Sequence, residues 1–188
     1  MKVILSSLLF MFFIFTFGCQ TETYLEGLKS ENIAVRNDAV YHLGEKEEKS
    51  AVPALIKLLT SDKHGETKLR VIEALGKIQE GSSVNSLVAA LNEKDIKIKI
   101  AAIEALGKIK DPHAVQPLLN TLSDTNTRFF AIWALGNIGD RGAVPALTKL
   151  LGDHDQYLRY NASQALKKIG MEDPSSIFRR LGIREYRR

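Results

Sequence analysis

The sequence has little of what most catalytic sites are built from. It contains one cysteine and four histidines among its 188 residues. With a single cysteine, no disulfide bond can form within the chain, so an oxidising compartment would place no covalent constraint on the fold. No histidine is followed by glutamate, and neither a nucleophile elbow nor a phosphate-binding loop is present. We therefore expect a protein that is not an enzyme and that holds no cofactor or metal.

A basic surface is also missing from the body of the chain. Of the formal net charge of +4, Lys2 contributes one positive charge and residues 174–188 contribute five arginines and one glutamate. Residues 19–173 are thus close to neutral, so we expect no nucleic-acid partner. The basic tail is expected either to contact anionic lipid or an acidic partner, or to be a solvated end.

The N-terminus carries a short apolar run. Fifteen residues from Val3 to Phe17 follow Lys2, which is fewer than the roughly 20 that span a bilayer and is typical of a secretory signal. We interpret residues 1–18 as a signal peptide. The segment TFGC at 16–19 resembles the lipobox of bacterial lipoproteins, in which a small residue precedes a cysteine that is lipidated and becomes the mature N-terminus.

This resemblance implies a lipid on Cys19, and Gln20 after it, rather than aspartate, implies sorting to the outer membrane. The expected location is the bacterial cell envelope, with the periplasmic side of the outer membrane favoured over the inner membrane. A simple cleaved signal and an uncleaved anchor are the alternatives.

The rest of the chain repeats itself. A helical pattern recurs five times, and we call the residue that ends it the landmark. The landmark is a glycine in the first four copies and a lysine in the fifth: Gly44, Gly76, Gly107, Gly136 and Lys167. The intervals are 32, 31, 29 and 31 residues. A second landmark keeps the same intervals at Val52, Val84, Val115 and Val144. Two landmarks that share one period predict a repeat array.

Each repeat is expected to hold two helices. The first has apolar residues three and four apart, as at Val52, Leu55 and Leu58. In the second, the residues one, two and five before the landmark, such as Leu135, Ala134 and Ala131, share one face. Alanines on that face should allow a neighbouring helix to approach closely.

The segments AVPALTKLL at 143–151 and DTNTRFFAIWALGNIGD at 124–140 resemble the short HEAT-like repeats of phycobilin lyase subunits. The resemblance implies an all-α fold, an α-solenoid of about five two-helix repeats over residues 24–173. A short tether at 19–23 would precede it, with a leading cap helix near 24–28. A C-terminal cap and basic tail at 174–188 would follow, the cap being near 175–181.

Two polar columns run through the array. Eight places before each landmark stand the cations Arg36, Lys68, Lys99, Arg128 and Arg159, and twelve before it stand Asn32, His64, Asp95, Asp124 and Asp155. The second column holds mostly residues that cap helix N-termini. An anion-binding groove is one hypothesis for the cations. We favour a ladder in which each cation meets the cap residue of the adjacent repeat.

In such arrays the second helices line a concave side. Residues three, seven and ten before the landmark should face it. They include the aromatic residues Phe129, Trp133, Tyr157 and Tyr160, together with Asn126, Glu73 and Glu104. The four aromatics could present on the order of 600 Å², the size at which an exposed patch usually marks recognition.

We therefore predict that the aromatics and Asn126 grip an apolar or extended segment of an envelope protein, with Glu73 and Glu104 as an acidic shoulder. The alternative is that Phe129 and Trp133 pack under the C-terminal cap as core. The predicted function is an exported, membrane-tethered scaffold that binds a protein or peptide. A non-catalytic or lyase-type accessory subunit of an enzyme is the second hypothesis.

Overall fold

A computed structural model describes residues 20–171. Within this range every regular element is helical, which confirms the all-α prediction. Residues 20–27 form α1. The remaining α-helices are α2 (Ile33–Glu45), α3 (Val52–Ser61), α4 (Gly65–Ile78), α5 (Val84–Ala90), α6 (Ile96–Ile109), α7 (Val115–Asn120), α8 (Arg128–Ile138), α9 (Val144–Leu150) and α10 (Gln156–Lys168). The predicted signal peptide, Cys19 and the predicted C-terminal cap and tail lie outside the described residues.

The chain forms two compact units, Met1–Ile78 and Gln79–Arg188. In the first, called unit 1, α4 packs against both α3 and α2. In the second, unit 2, the pairs α5 and α6, α7 and α8, and α9 and α10 each form a helical hairpin. The second helices of unit 2 also pack in sequence, α6 on α8 and α8 on α10. Each unit is thus a stack of the two-helix repeats expected from the sequence.

The landmark glycines stand where second helices touch. A Cβ atom placed on Gly136 would lie 2.8 Å from the Cα of Ala165 on the next second helix. A Cβ on Gly107 would lie 2.9 Å from the Cα of Ala134, and one on Gly44 would lie 2.9 Å from the Cβ of Ala74. Contacts this short leave no room for a side chain at these three glycines. The close approach expected from the small residues is confirmed, with glycine on one helix and alanine on the other.

The same place in every repeat has a left-handed backbone. Three residues after each landmark, φ is positive at Glu47, Gln79, Lys110, Gly139 and Gly170. At α6 and α8 this residue is the C-cap, and its N–H is bonded to the carbonyl oxygen of Leu106 or Leu135. The left-handed residue therefore ends the helix and turns the chain toward the next repeat.

Unit 1 begins with the predicted leading cap. Leu28, just after α1, is buried, and the ring of Tyr24 stacks on the ring of His42 with centroids 4.7 Å apart. Residues 20–23, expected to form part of a tether, are helical instead. They are also bonded to unit 1, because Lys46 donates to Gln20 and Thr21 donates to Glu48.

The cap column is found at most of its places. Asn32, Asp95 and Asp155 each accept a backbone N–H at the start of their helix. In the second repeat, however, the acceptor is Asp62, and the expected cap residue His64 is the donor.

The polar ladder is present at Arg36, with a different partner from the one expected. Its guanidinium binds Asp62 at 2.9 Å rather than His64, and it also donates to the carbonyl oxygens of Ser30 and Glu31. Arg159 makes the equivalent bonds to backbone, donating to the carbonyl oxygens of Asp153 and His154, but among the described residues it has no carboxylate partner. A carboxylate is the better partner for the buried Arg36 because it matches the guanidinium's planar fork.

Candidate functional site

The four predicted aromatic residues lie on two packed helices of unit 2. Phe129 and Trp133 are one turn apart on α8, and Tyr157 and Tyr160 are on the first turns of α10. Trp133 is 39% exposed, Tyr157 67% and Tyr160 43%, while Phe129 is half-buried. We call these four residues the aromatic face. Three of the four rings are thus exposed on two helices that pack together.

Trp133 is held in place from one side. A Cβ on Gly107 would lie 2.8 Å from Cζ3 of Trp133, so the indole packs over the glycine backbone of α6. The remaining part of the ring is open to solvent. The absence of a side chain at Gly107 thus allows both the close helix contact and the packing of the indole. The alternative packing of Phe129 and Trp133 under a C-terminal cap concerns residues 175–181, which are outside the described range.

Local hydrogen bonds fix the start of both helices. Asp124 accepts from the backbone and side-chain nitrogens of Asn126 at 2.9 and 3.2 Å, just before α8. Asp155 caps α10 by accepting the N–H of Tyr157 at 2.8 Å. The carbonyl oxygen of Tyr157 in turn accepts from Asn161. The exposed Asn126 therefore lies in a hydrogen-bonded turn before α8, and the exposed Tyr157 lies in the capped first turn of α10.

The two predicted acidic residues are placed in different units. Glu104 is half-buried on α6, the helix that also carries Gly107, and α6 packs against α8. Glu73 is exposed on α4 of unit 1. Asn37, another residue that the repeat position directed to the concave side, is buried, and its side-chain oxygen has no partner among the described residues.

Unit 1 carries a smaller aromatic group at equivalent places. Tyr41, which occupies the same repeat position as Trp133, is 50% exposed. Its ring meets that of His42 edge-on at 5.3 Å, and the Lys77 ammonium lies 5.7 Å from its centroid. Lys77 also forms an ion pair with Glu45. Here the aromatic is surrounded by charge, in contrast to the aromatic face of unit 2.

A cavity of about 370 Å³ in unit 2 was not anticipated. Its walls come from α5, α6, α7 and the loop before α8, and Lys99, Asp124 and Thr127 are among them. The 29-residue interval between Gly107 and Gly136 was the sequence feature that could have indicated it. In this repeat Val115 stands 21 residues before its landmark, whereas Val84 and Val144 stand 23 residues before theirs.

The titratable groups of the described residues form pairs rather than a metal centre. His64 Nδ1 lies 2.8 Å from Asp62 Oδ1, and His113 Nδ1 lies 2.8 Å from Asp111 Oδ1. The backbone N–H of His113 lowers the pKa of Asp111, and the His113 ring lowers it further. Between residues 20 and 171, no group of three histidine, cysteine or carboxylate side chains is arranged to hold a metal ion.

In the same range, no helix is both long and apolar enough to cross a membrane.

The architecture defines a class, the helical-repeat proteins, in which paired helices stack and present side chains from successive repeats. The sequence matches the family model for HEAT repeats over residues 21–95, 62–128 and 115–182. The chain belongs to the HEAT-repeat family. No curated protein sequence matches it.

Solved structures show the same fold. The complex of CpcE and CpcF of phycocyanin lyase from Nostoc sp. PCC7120 matches with a TM-score of 0.70 and 23% identity, covering 86% of this chain and 68% of the other. An engineered protein matches with a TM-score of 0.62 and 25% identity, covering 87% and 85%. A designed armadillo repeat protein in complex with the peptide (KR)4 matches with a TM-score of 0.64 and 22% identity, covering 83% and 84%.

Proposed function

We propose that the protein is a non-catalytic scaffold that binds a protein or peptide through the aromatic face of unit 2. The observation that carries the proposal is the exposure of Trp133, Tyr157 and Tyr160 on two adjacent helices. Tyrosine and tryptophan provide large contact areas with few rotatable bonds, which is why they are enriched at recognition surfaces. Asp155 caps α10, and Asp124 holds the turn before α8, so binding requires little ordering of the scaffold.

The chemistry of the face favours an extended segment with apolar or basic side chains. Aromatic rings accept apolar groups by contact area and accept lysine or arginine through cation–π attraction. Glu104, on the α6 helix that packs against α8, adds negative charge for a basic group. The designed armadillo repeat protein of similar fold is itself in complex with (KR)4. The peptides to test first are therefore (KR)4 and an uncharged apolar peptide of equal length.

The proposal also includes a cellular location. Export by residues 1–18 and a lipid on Cys19 would hold the scaffold at the bacterial envelope, on the periplasmic side of the outer membrane. The partner is then an envelope protein with an exposed extended segment. The apolar run and the TFGC motif support this part of the proposal.

The experiment is a crosslinking pull-down from solubilised envelopes. Tyr157→Ala with Tyr160→Ala is the better variant for it, because Trp133 also packs on Gly107 and its removal would disturb the helix contact. The matched control is Tyr41→Ala, which removes an exposed aromatic from unit 1. We expect a partner that is retained by the wild type and the control and lost from the double variant, with all three equally helical by circular dichroism.

A direct measurement accompanies it. Trp133 is the only tryptophan, so its emission should shift when either peptide binds the purified chain, and the double variant should bind at least tenfold more weakly. Equal binding by wild type and double variant would remove the aromatic face from the proposal.

The similarity to the phycocyanin lyase subunits favours a second candidate, an accessory subunit of an enzyme. That candidate predicts co-purification with a cytoplasmic enzyme and no dependence on the tyrosines.

A further inference from the structure

In the shortened repeat of unit 2, an apolar residue stands at the place that holds the Asp62 carboxylate beside Arg36 in unit 1. Arg36 is paired with Asp62, which stands fourteen places before the next landmark. The same place holds Glu93 and Asp153 in two other repeats, but Leu122 in the repeat after Lys99. Among the described residues, Lys99 has neither an ion-pair partner nor a hydrogen-bond acceptor for its ammonium. The Lys99 ammonium can therefore accept a carboxylate from a ligand as its partner.

The missing partner coincides with the cavity. Lys99 lines the space of about 370 Å³ between its own repeat and the shortened one. This volume is within the range of small-molecule sites, which run from roughly 300 to 1,000 Å³. Val88, Leu91 and Pro117 give the cavity an apolar wall, and Asn92 and Asn120 give it amide groups. A charged side chain, an apolar wall and a few polar groups are the usual composition of a ligand pocket.

Among the described residues that line this cavity, one side chain is acidic, and it is already hydrogen-bonded. Asp124 accepts both nitrogens of Asn126 and does not reach Lys99 within ion-pair distance. Its negative charge disfavours a dianion such as phosphate near neutral pH, whereas a single carboxylate matches the single ammonium. Thr121 and Thr127 donate their hydroxyl protons to backbone carbonyl oxygens of the protein, which leaves Lys99 as the charged anchor of the cavity.

We propose that this cavity is a binding site for a small organic monocarboxylate, with Lys99 holding the carboxylate and the apolar wall holding the carbon chain. The ligand occupies the place that the Asp62 carboxylate fills beside Arg36. The site is independent of the aromatic face, with which it shares no residue.

The test is a titration of the full chain in mild detergent, labelled with 15N at threonine and followed in 1H–15N spectra. The probes are 4-methylpentanoate, its uncharged analogue 4-methylpentanamide, and inorganic phosphate. We expect a saturable shift of the Thr127 amide with the carboxylate and at least tenfold weaker binding of the amide and of phosphate.

Two matched lysines on α6 separate the site from general charge effects. Lys99→Gln should weaken carboxylate binding at least tenfold, whereas Lys108→Gln, an exposed position on the same helix, should leave it unchanged. Leu122→Asp should also abolish binding, because it restores the carboxylate that the other repeats carry. The absence of a saturable shift, tighter binding of phosphate, or equal affinities for Lys99→Gln and Lys108→Gln would overturn the proposal.

Discussion

At the scale of single residues, the array depends on one backbone conformation that most side chains disfavour. The chain turns through a left-handed residue after each second helix, yet three of the five places hold Glu47, Gln79 and Lys110 rather than glycine. An L side chain in this region costs roughly 1 kcal/mol. The sequence alone did not indicate these turns, because only Gly139 and Gly170 carry the residue that such turns favour.

This strain predicts opposite effects for the same substitution two residues apart. Lys110→Gly should raise the free energy of unfolding by about 0.5–1 kcal/mol, since it relieves the positive φ. Lys108→Gly, in the last turn of α6, should lower it by about 1 kcal/mol because glycine is a poor helix former. Urea unfolding of both variants measures the difference. A loss of stability in Lys110→Gly would contradict the assignment of strain to this turn.

The buried pair of Arg36 and Asp62 predicts how unit 1 responds to acid. Burial raises the pKa of Asp62, but the backbone and ring of His64 and the Arg36 guanidinium outweigh it, so the pKa is lowered overall. A lowered pKa means that the folded state favours the carboxylate. The stabilisation is therefore complete above the pKa of the unfolded chain and is lost as pH falls through the folded value.

Asp62→Asn isolates this contribution. At neutral pH the variant should be less stable by about 3 kcal/mol, since Arg36 is left buried without its counter-ion. The gap between wild type and variant should close as the pH is lowered below the pKa of Asp62. Unfolding by urea across pH 2 to 7 checks both statements. If the stability difference between wild type and variant stays constant with pH, the ion pair of Arg36 and Asp62 is not the source of that difference.

At the scale of elements, stability rests on the contact between second helices. Ala134 is fully buried and lies beside Gly107, whereas Ala89 on α5 is exposed. Ala134→Leu should destabilise the protein by about 1–3 kcal/mol through overpacking. Ala89→Leu should change stability by less than about 0.5 kcal/mol, because both residues are good helix formers. Thermal melts of the two variants test the contact. Equal melting temperatures would contradict the prediction that Ala134 packs tightly against the neighbouring second helix.

The elements themselves could be predicted from the sequence because their causes are local or periodic. The spacing of Val115 and Gly136 was enough to place α7 and α8, and the small size of the alanines was enough to predict a close helix contact, although not that the landmark glycine would be the partner. The partner of Arg36 could not be found in this way. Asp62 lies in a loop, and the direction of a loop side chain depends on turn geometry that periodicity does not encode. The cavity beside Lys99 could not be predicted either, because it depends on the path that the chain takes through the shortened repeat.

At the scale of the whole molecule, the composition of the two units differs in a way that suits different tasks. The aromatic face belongs to unit 2, while the exposed Tyr41 of unit 1 is surrounded by charged groups. The division into two units was not predicted, because the landmarks recur across residue 78 without a linker. The proposed function assigns recognition to unit 2.

The proposed lipid on Cys19 gives the last prediction. Gln20, which directly follows Cys19 in the sequence, is helical, and Gln20 and Thr21 are hydrogen-bonded to Lys46 and Glu48 of the same unit. A lipid on Cys19 would therefore hold unit 1 at the bilayer surface without a spacer. In a Gram-negative host, wild type should incorporate labelled palmitate and fractionate with the outer membrane, and Cys19→Ser should lose the label. Gln20→Asp should keep the label and move to the inner membrane. Palmitate labelling that survives Cys19→Ser, or an unlabelled wild type in the cytoplasm, would refute the tether.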